Sequence, residues 1–202
     1  RKALSTVDQN YTIAEQEGAF YGPKIDFDVM DAIGRKWQCA TIQLDYQLPQ
    51  RFNLKYIGPD NAEHYPVVIH RAIFGSFERF ISLLIENYTG AFPLWIAPLQ
   101  MVVLPIADRH VDYAKSVRCR LESVGFRVEV DTRKEKIGYK IREVRLQKVP
   151  YMLVVGDREA ADGSVSVRAL SEGDLGVRSI DDFIETALTQ IRQKCANNMG
   201  EV

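Results

Sequence analysis

Three side chains able to do chemistry fall within ten residues of one another: His70, Ser76 and Arg79. Ser76 and Arg79 are three apart, so at the start of a helix both would leave the same face. A hydroxyl, the free backbone N–H groups of a helix start and a guanidinium together make a phosphate-binding corner. His70 adds an imidazole just upstream, which is either a ligand or an ordinary strand residue. A second polar series lies in Trp37–Tyr46. There Thr41, Gln43 and Asp45 alternate onto one face, and Cys39 joins them if the strand is regular. Gln38 has the other parity and reaches that face only if a bulge or a strand end re-aims it. Such a polar row is either a solvated strand face or the floor of a hydrogen-bonding pocket.

The elements that must carry these residues can be read from the pattern. Pro66 opens a β-branched strand over Val67–Ile73, because a strand tolerates proline at its first residue. Phe77, Phe80, Ile81, Leu84 and Ile85 then recur at helical spacing and predict a helix over about 75–88. Ile25, Phe27 and Val29 alternate along an earlier strand, which a Gly34 connector joins to Trp37–Tyr46 as an antiparallel pair. Arg51–Tyr56 is short and alternating. The first half is therefore expected to be an antiparallel sheet with a helix on one face. Residues 1–5 could be the tail of a helix.

A packed connector, Gly90–Pro98, leads to a different pattern, with the domain boundary near Pro98. The expected domains are 1–97 and 98–202. Gln100–Ile106 and Tyr151–Gly156 are nearly continuous apolar runs, the signature of strands buried on both faces. Helices are predicted at His110–Val124, Ile137–Lys148 and Asp181–Lys194, with strands at Phe126–Asp131 and Ser164–Arg168. This order predicts an α/β domain with a mixed, mostly parallel sheet, and an α+β / α/β class for the whole chain. No GxGxxG or P-loop wording is present.

Composition narrows the function classes. An apolar content of 46% with 26% charged residues suits a globular protein, and no apolar run approaches the length of a membrane span. Cys39, Cys119 and Cys195 are scattered and form no CxxC pair, which suits a reducing cytoplasm. Net charge is −1, so the molecule is not a polycation. Arg127–Lys148, however, holds 8 basic and 4 acidic residues, a local +4 that is the candidate nucleic-acid footprint. Lys136, Lys140, Arg142, Arg145 and Lys148 ring the apolar line Ile137, Ile141 and Val144, so a solvated helix flank is the alternative.

The wording of these stretches resembles one family. HRAIFGSFERF, from His70 to Phe80, closely resembles the third signature motif of class II aminoacyl-tRNA synthetases in its threonyl version. Trp37–Asp45 and Gly18–Asp26 resemble the two segments before it, in the family's order and spacing. Arg133–Glu143 resembles the anticodon-binding domain of threonyl and related class IIa enzymes. The likeness runs from about Gly18 to Arg168.

The resemblance implies roles. Arg79 would contact ATP phosphates, with Lys24 as a supporting charge near the adenylate. Gln38, Thr41 and Ser76 would hold ATP beside Arg79, together with its Mg2+. Tyr21 and Gln43 would line the threonine pocket. His70 would be one of three protein ligands of a Zn2+ that takes the amino and hydroxyl groups of threonine; valine, the isostere, has no hydroxyl to offer. The family's other ligands, a Cys and a His, lie upstream, and neither His64 nor His110 matches a ligand position. Arg142, Glu159 and Arg168 would read anticodon bases. Lys134 and Lys148 occupy contact positions with a point charge rather than a fork.

The implied parent is a cytoplasmic threonine–tRNA ligase acting on threonine, ATP and tRNA(Thr), and a homodimer. This chain is expected to be its C-terminal portion, inactive alone because the upstream motifs are missing. An accessory tRNA-binding module without catalysis is the rival expectation, and a class IIa enzyme for another amino acid a third.

Overall fold

The computed structural model describes residues 4, 6, 11–15 and 17–194. Most of residues 1–5, with the helix expected there, and Cys195 lie outside the described residues. The chain divides into two compact units, residues 1–83 and 84–202, so the division falls within a helix.

The first unit is built on a three-stranded antiparallel sheet in the order β1-β2-β5. Strand β1 is Lys24–Met30 and β2 is Lys36–Asp45, joined through the Asp31–Arg35 turn. Asp31 organises that turn: its carboxylate accepts from the Arg35 N–H and Nε and from Trp37 Nε1. A four-residue helix α1, Leu48–Arg51, replaces the expected extended start at Arg51, since Pro49 favours a first helical turn. A two-residue hairpin, β3 at Tyr56–Ile57 and β4 at Glu63–His64, precedes β5 at Val68–Ala72. Helix α2 follows at Phe77–Asn87.

Strand β5 and α2 lie where the pattern places them. The apolar stripe of α2 is not covered, however: Phe77 is 81% exposed, and Ile81 and Ile85 are half exposed. A sheet of three strands offers too little area to bury it. Leu83 is the buried residue of the helix.

The second unit has a five-stranded sheet in the order β10-β9-β8-β6-β7. Strands β6 (Met101–Pro105), β7 (Val128–Val130) and β8 (Tyr151–Val155) are parallel. Strands β9 (Ser164–Ala169) and β10 (Gly173–Ser179) extend the sheet antiparallel. The pattern misses β10, whose Gly173 and Gly176 disguise its alternation.

Every residue of β6 and β8 is buried. Their side chains alternate between two cores. Met101, Val103, Leu153 and Val155 pack with Ala114, Val117 and Leu121 of α3 (Val111–Ser123) and with Phe183 and Ala187 of α6 (Ile180–Gln193). Val102, Leu104, Met152 and Val154 pack with Val144 of α4 (Ile137–Leu146), flanked by Ile137 and Ile141. The sheet is thus covered on both faces, as continuous apolar strands require. The short helix α5, Asp157–Asp162, follows β8 and was not evident from the pattern.

Candidate functional site

In the first unit the polar residues of β1, β2 and β5 share one face, and a bulge makes this so. Ala40 pairs with Phe27, Gln38 pairs with Asp28, and Cys39 between them has no partner. One unpaired residue reverses the parity of everything on one side of it. Gln38 therefore returns to the face that carries Thr41, opposite Asp26, and Gln43, opposite Lys24. Across the other ladder Gln43 pairs with His70 and Thr41 with Ala72. Lys24, Gln38, Thr41, Gln43 and His70 thus stand on one face, and Cys39 turns away and is buried.

These groups are bonded to one another in two clusters. Asp26 accepts from Thr41 Oγ1 at 2.8 Å, sits 2.6 Å from Lys24 Nζ and also takes the Gln38 side chain. Burial pushes the Asp26 carboxyl up, but the bonds from Lys24, Thr41 and Gln38 outweigh it and hold it below the usual carboxylate range. The bond to Asp26 in turn raises Lys24, so the pair stays ionised. In the second cluster Tyr21 donates its hydroxyl to Gln43 Oε1, and its ring stands edge-on to His70 at 5.9 Å. His70 Nε2 lies 2.9 Å from Asp45 Oδ2.

Arg79 reaches this face from the helix. Gly75 turns the chain at φ +73°, and Ser76 caps α2, its Oγ accepting the Arg79 N–H at 3.2 Å. Arg79 Nη1 donates to the Gln38 carbonyl at 3.2 Å, and the guanidinium stands 5.8 Å from the Trp37 ring centroid. An exposed guanidinium beside a capping hydroxyl can meet an anion. Among the described residues no three His, Cys, Asp or Glu groups could together hold a metal. His64 is exposed and bound to Asp60, and His110 to Asp157. The chemistry at His70 nevertheless suits one corner of a zinc site: one ring nitrogen is tied to a buried carboxylate, and the other makes no bond among the described residues.

In the second unit the basic segment runs through the loop after β7 and along α4. Lys134 lines a cavity of about 310 Å³ with Pro105, Asp108, Arg133, Lys136 and Lys140. Its ammonium is 3.5 Å from Asp108. Arg142 and Lys148 line a different cavity of about 450 Å³, with Arg145, Thr89 and Leu170. Lys148 has φ +57° and gives its ammonium to the Thr89 carbonyl. Arg142 is exposed and has no partner among the described residues. Glu159 and Arg168 line neither cavity. Glu159 Oε2 accepts the Gly156 N–H at 2.9 Å, and Arg168 donates to Asp174 at 2.6 Å.

Two further residues, Lys140 and Asp45, hold these parts in place. Lys140 is 3% exposed and donates to the carbonyls of Pro105, at 3.3 Å, and Asp131, at 3.0 Å, tying the end of β6 to the loop that bears Lys134. The sequence pattern set Lys140 among the basic residues that ring the apolar line of Ile137, Ile141 and Val144; its burial corrects that placement, because two backbone carbonyls receive the ammonium. Asp45 is fully buried. Nothing in its spacing disclosed that its partner would be His70.

Residues 3–88 match the family model described as the tRNA synthetase class II core domain (G, H, P, S and T). Residues 100–190 match the one described as the anticodon binding domain. The threonine–tRNA ligase of Caldanaerobacter subterraneus subsp. tengcongensis is 57% identical over 192 residues, 95% of this chain and 30% of that protein. The threonine–tRNA ligase of Clostridium botulinum strain Hall is 55% identical over 194 residues, 96% of this chain and 31% of that one. The crystal structure of the RNA binding domain of threonyl-tRNA synthetase from Cryptosporidium parvum Iowa II superposes with a TM-score of 0.86 at 41% identity. That match covers 93% of this chain and 48% of the other. The chain thus spans about a third of the length of the curated relatives it matches.

Proposed function

We propose, for a chain that belongs to the class II tRNA synthetases of the threonyl type, that it is the C-terminal part of a threonine–tRNA ligase. The observation that carries this reading is the single sheet face that holds Gln38, Thr41, Gln43 and His70 beside Arg79. The whole enzyme would join threonine to ATP, releasing pyrophosphate, and then pass the aminoacyl group to the 3′ end of tRNA(Thr).

In this reading Arg79 faces the ATP phosphates, where a fixed guanidinium stabilises the charge that develops on adenylyl transfer. The Ser76 cap and the Gln38 carbonyl keep that guanidinium in place. Gln38 and Thr41 hold the nucleotide, and the Lys24–Asp26 pair supplies a positive charge near the adenylate; Mg2+ accompanies ATP. Tyr21 and Gln43 form the wall of the threonine pocket. His70 would be one ligand of the zinc, the others lying elsewhere in the whole enzyme; zinc, when bound, would recognise the substrate's amino and hydroxyl groups. One imidazole is not a metal site, and this chain alone is expected to be inactive.

The domain after Pro98 would bind the anticodon through Arg142, Glu159 and Arg168, with Lys134 and Lys148 as further contacts. A homodimer in the cytoplasm completes the reading. The test is ATP–pyrophosphate exchange by the whole enzyme with each standard amino acid, with zinc and after chelation. Exchange that needs threonine and is lost on chelation supports the proposal. No exchange with any amino acid, beside retained tRNA binding, sinks it and leaves an accessory tRNA-binding protein.

A further inference from the structure

Asp45 is the last residue of β2, and it is completely buried. A buried carboxylate is costly unless every lone pair it turns inward has a donor. Here the two oxygens are divided between two tasks. Oδ1 accepts the N–H groups of Gln47 and Leu48, both at 2.9 Å, and so starts helix α1. Oδ2 faces His70 Nε2 at 2.9 Å. An ionised carboxylate can only accept, so the ring nitrogen that meets it must carry the hydrogen. The His70 lone pair then resides on Nδ1. That atom has no partner among the described residues, and the side chain is 41% exposed on the face shared with Gln43 and near the Tyr21 ring.

We propose that Asp45 is a positioning residue that locks His70 in the Nε2–H tautomer and so presents Nδ1 as the metal-donor atom of the threonine pocket. The inference rests on the reading of His70 as a zinc ligand. Its physical basis is general: a carboxylate behind an imidazole fixes the ring's tautomer and orientation and raises its basicity as a ligand. The helix-starting bonds are what make Asp45 rigid enough to do so, because the carboxylate cannot rotate away without uncapping α1.

The geometry sets up an inversion. In Asp45→Asn the single side-chain oxygen is claimed by the Gln47 and Leu48 amides. The amide nitrogen is then turned to His70 Nε2, which must accept, and the ring hydrogen moves to Nδ1. The experiment is two-bond 15N–1H correlation spectroscopy of the three histidines in this chain at about pH 8, with His70 assigned from His70→Gln. The expected result is the Nε2–H pattern in the unaltered chain and the Nδ1–H pattern in Asp45→Asn, with the backbone amide spectrum otherwise kept. An Nδ1–H pattern in the unaltered chain, which needs no variant, overturns the inference, as does an Nε2–H pattern that survives in Asp45→Asn.

Zinc retention by the whole enzyme against a chelator is the second readout. Asp45→Asn is expected to weaken it by roughly 10–100-fold. Retention unchanged in Asp45→Asn but lost in His70→Gln overturns the role of Asp45 and leaves the ligand reading standing. Retention unchanged in both overturns the ligand reading itself.

Discussion

Gly75 meets Cys39 backbone to backbone: a Cβ on Gly75 would lie 3.2 Å from the Cys39 carbonyl oxygen and 3.8 Å from its Cα. The bulge residue of β2 and the hinge between β5 and α2 are therefore one packed feature. The bulge turns Gln38 onto the polar face, and the hinge delivers Ser76 and Arg79 to the Gln38 carbonyl. Any change that separates Gly75 from Cys39 moves the guanidinium off the face it serves.

Gly75→Ala tests this. At φ +73° a side chain pays a left-handed backbone cost of about 1–2 kcal/mol, and backbone atoms on the other side of the contact have little freedom to yield. The expected outcome is a loss of stability of that order in urea unfolding of the first unit. The Arg79 side-chain resonances should shift with it, because the donor to Gln38 has moved.

Arg142→Ala separates binding from stability. Arg142 is exposed and makes no bond to protein among the described residues, so its removal should change unfolding free energy by no more than about 0.5 kcal/mol. If it reads a base, affinity for an anticodon stem-loop of tRNA(Thr) should fall by about 1–3 kcal/mol, roughly fivefold to 150-fold. Denaturant titration checks the first part and titration calorimetry with cognate and altered loops the second, since a phosphate contact would weaken all loops alike.

Gln100→Leu probes the start of the second sheet. Gln100 is 1% exposed; its Nε2 donates to the Leu94 carbonyl at 2.7 Å and its Oε1 accepts the Arg127 N–H at 2.8 Å. Leucine fills similar space but takes away the partner of the buried Leu94 carbonyl and of the part-buried Arg127 N–H, the buried group costing about 1–3 kcal/mol and the other less. A drop of about 2–4 kcal/mol in the stability of the second unit is expected from denaturant titration. A change below about 0.5 kcal/mol would mean that those groups find other partners.

What the sequence discloses follows from how local its causes are. Continuous apolar runs identified β6 and β8, and the spacing of Ile137, Ile141 and Val144 identified the buried side of α4, because both depend on residues within one element. The face of Gln38 could be stated only as a condition. A bulge is a property of two strands in register, and one strand's alternation does not record it. The partnership of Asp45 with His70, 25 residues later, is likewise tertiary. So is the exposure of Phe77: helical spacing shows which residues share a face and says nothing about whether a surface exists to cover it.

The loop after β6 and the start of α5 are joined by a carboxylate whose titration should be visible in stability. Asp157 accepts from Arg109 Nε at 2.7 Å and Nη2 at 2.5 Å, and from His110 Nε2 at 2.8 Å. His110 is 3% exposed, and its Nδ1 accepts the Ala107 N–H at 3.2 Å, so the ring donates through Nε2. The Arg109 bonds first, and then the His110 bond, hold the Asp157 carboxyl far below its ordinary value of 3.8. A depressed carboxylate stabilises the fold above the unfolded-state value, and this contribution disappears as pH falls through the folded-state value. The stability difference between the unaltered chain and Asp157→Asn should therefore be constant above about pH 5 and shrink steadily below it. Urea midpoints collected from about pH 7 to pH 3 measure that difference. A difference that stayed flat to pH 3 would show that Asp157 is not ionically held. If Glu159 on α5 reads a base, loosening this clamp in Asp157→Asn should also weaken anticodon-loop binding at neutral pH, although Glu159 itself is unchanged.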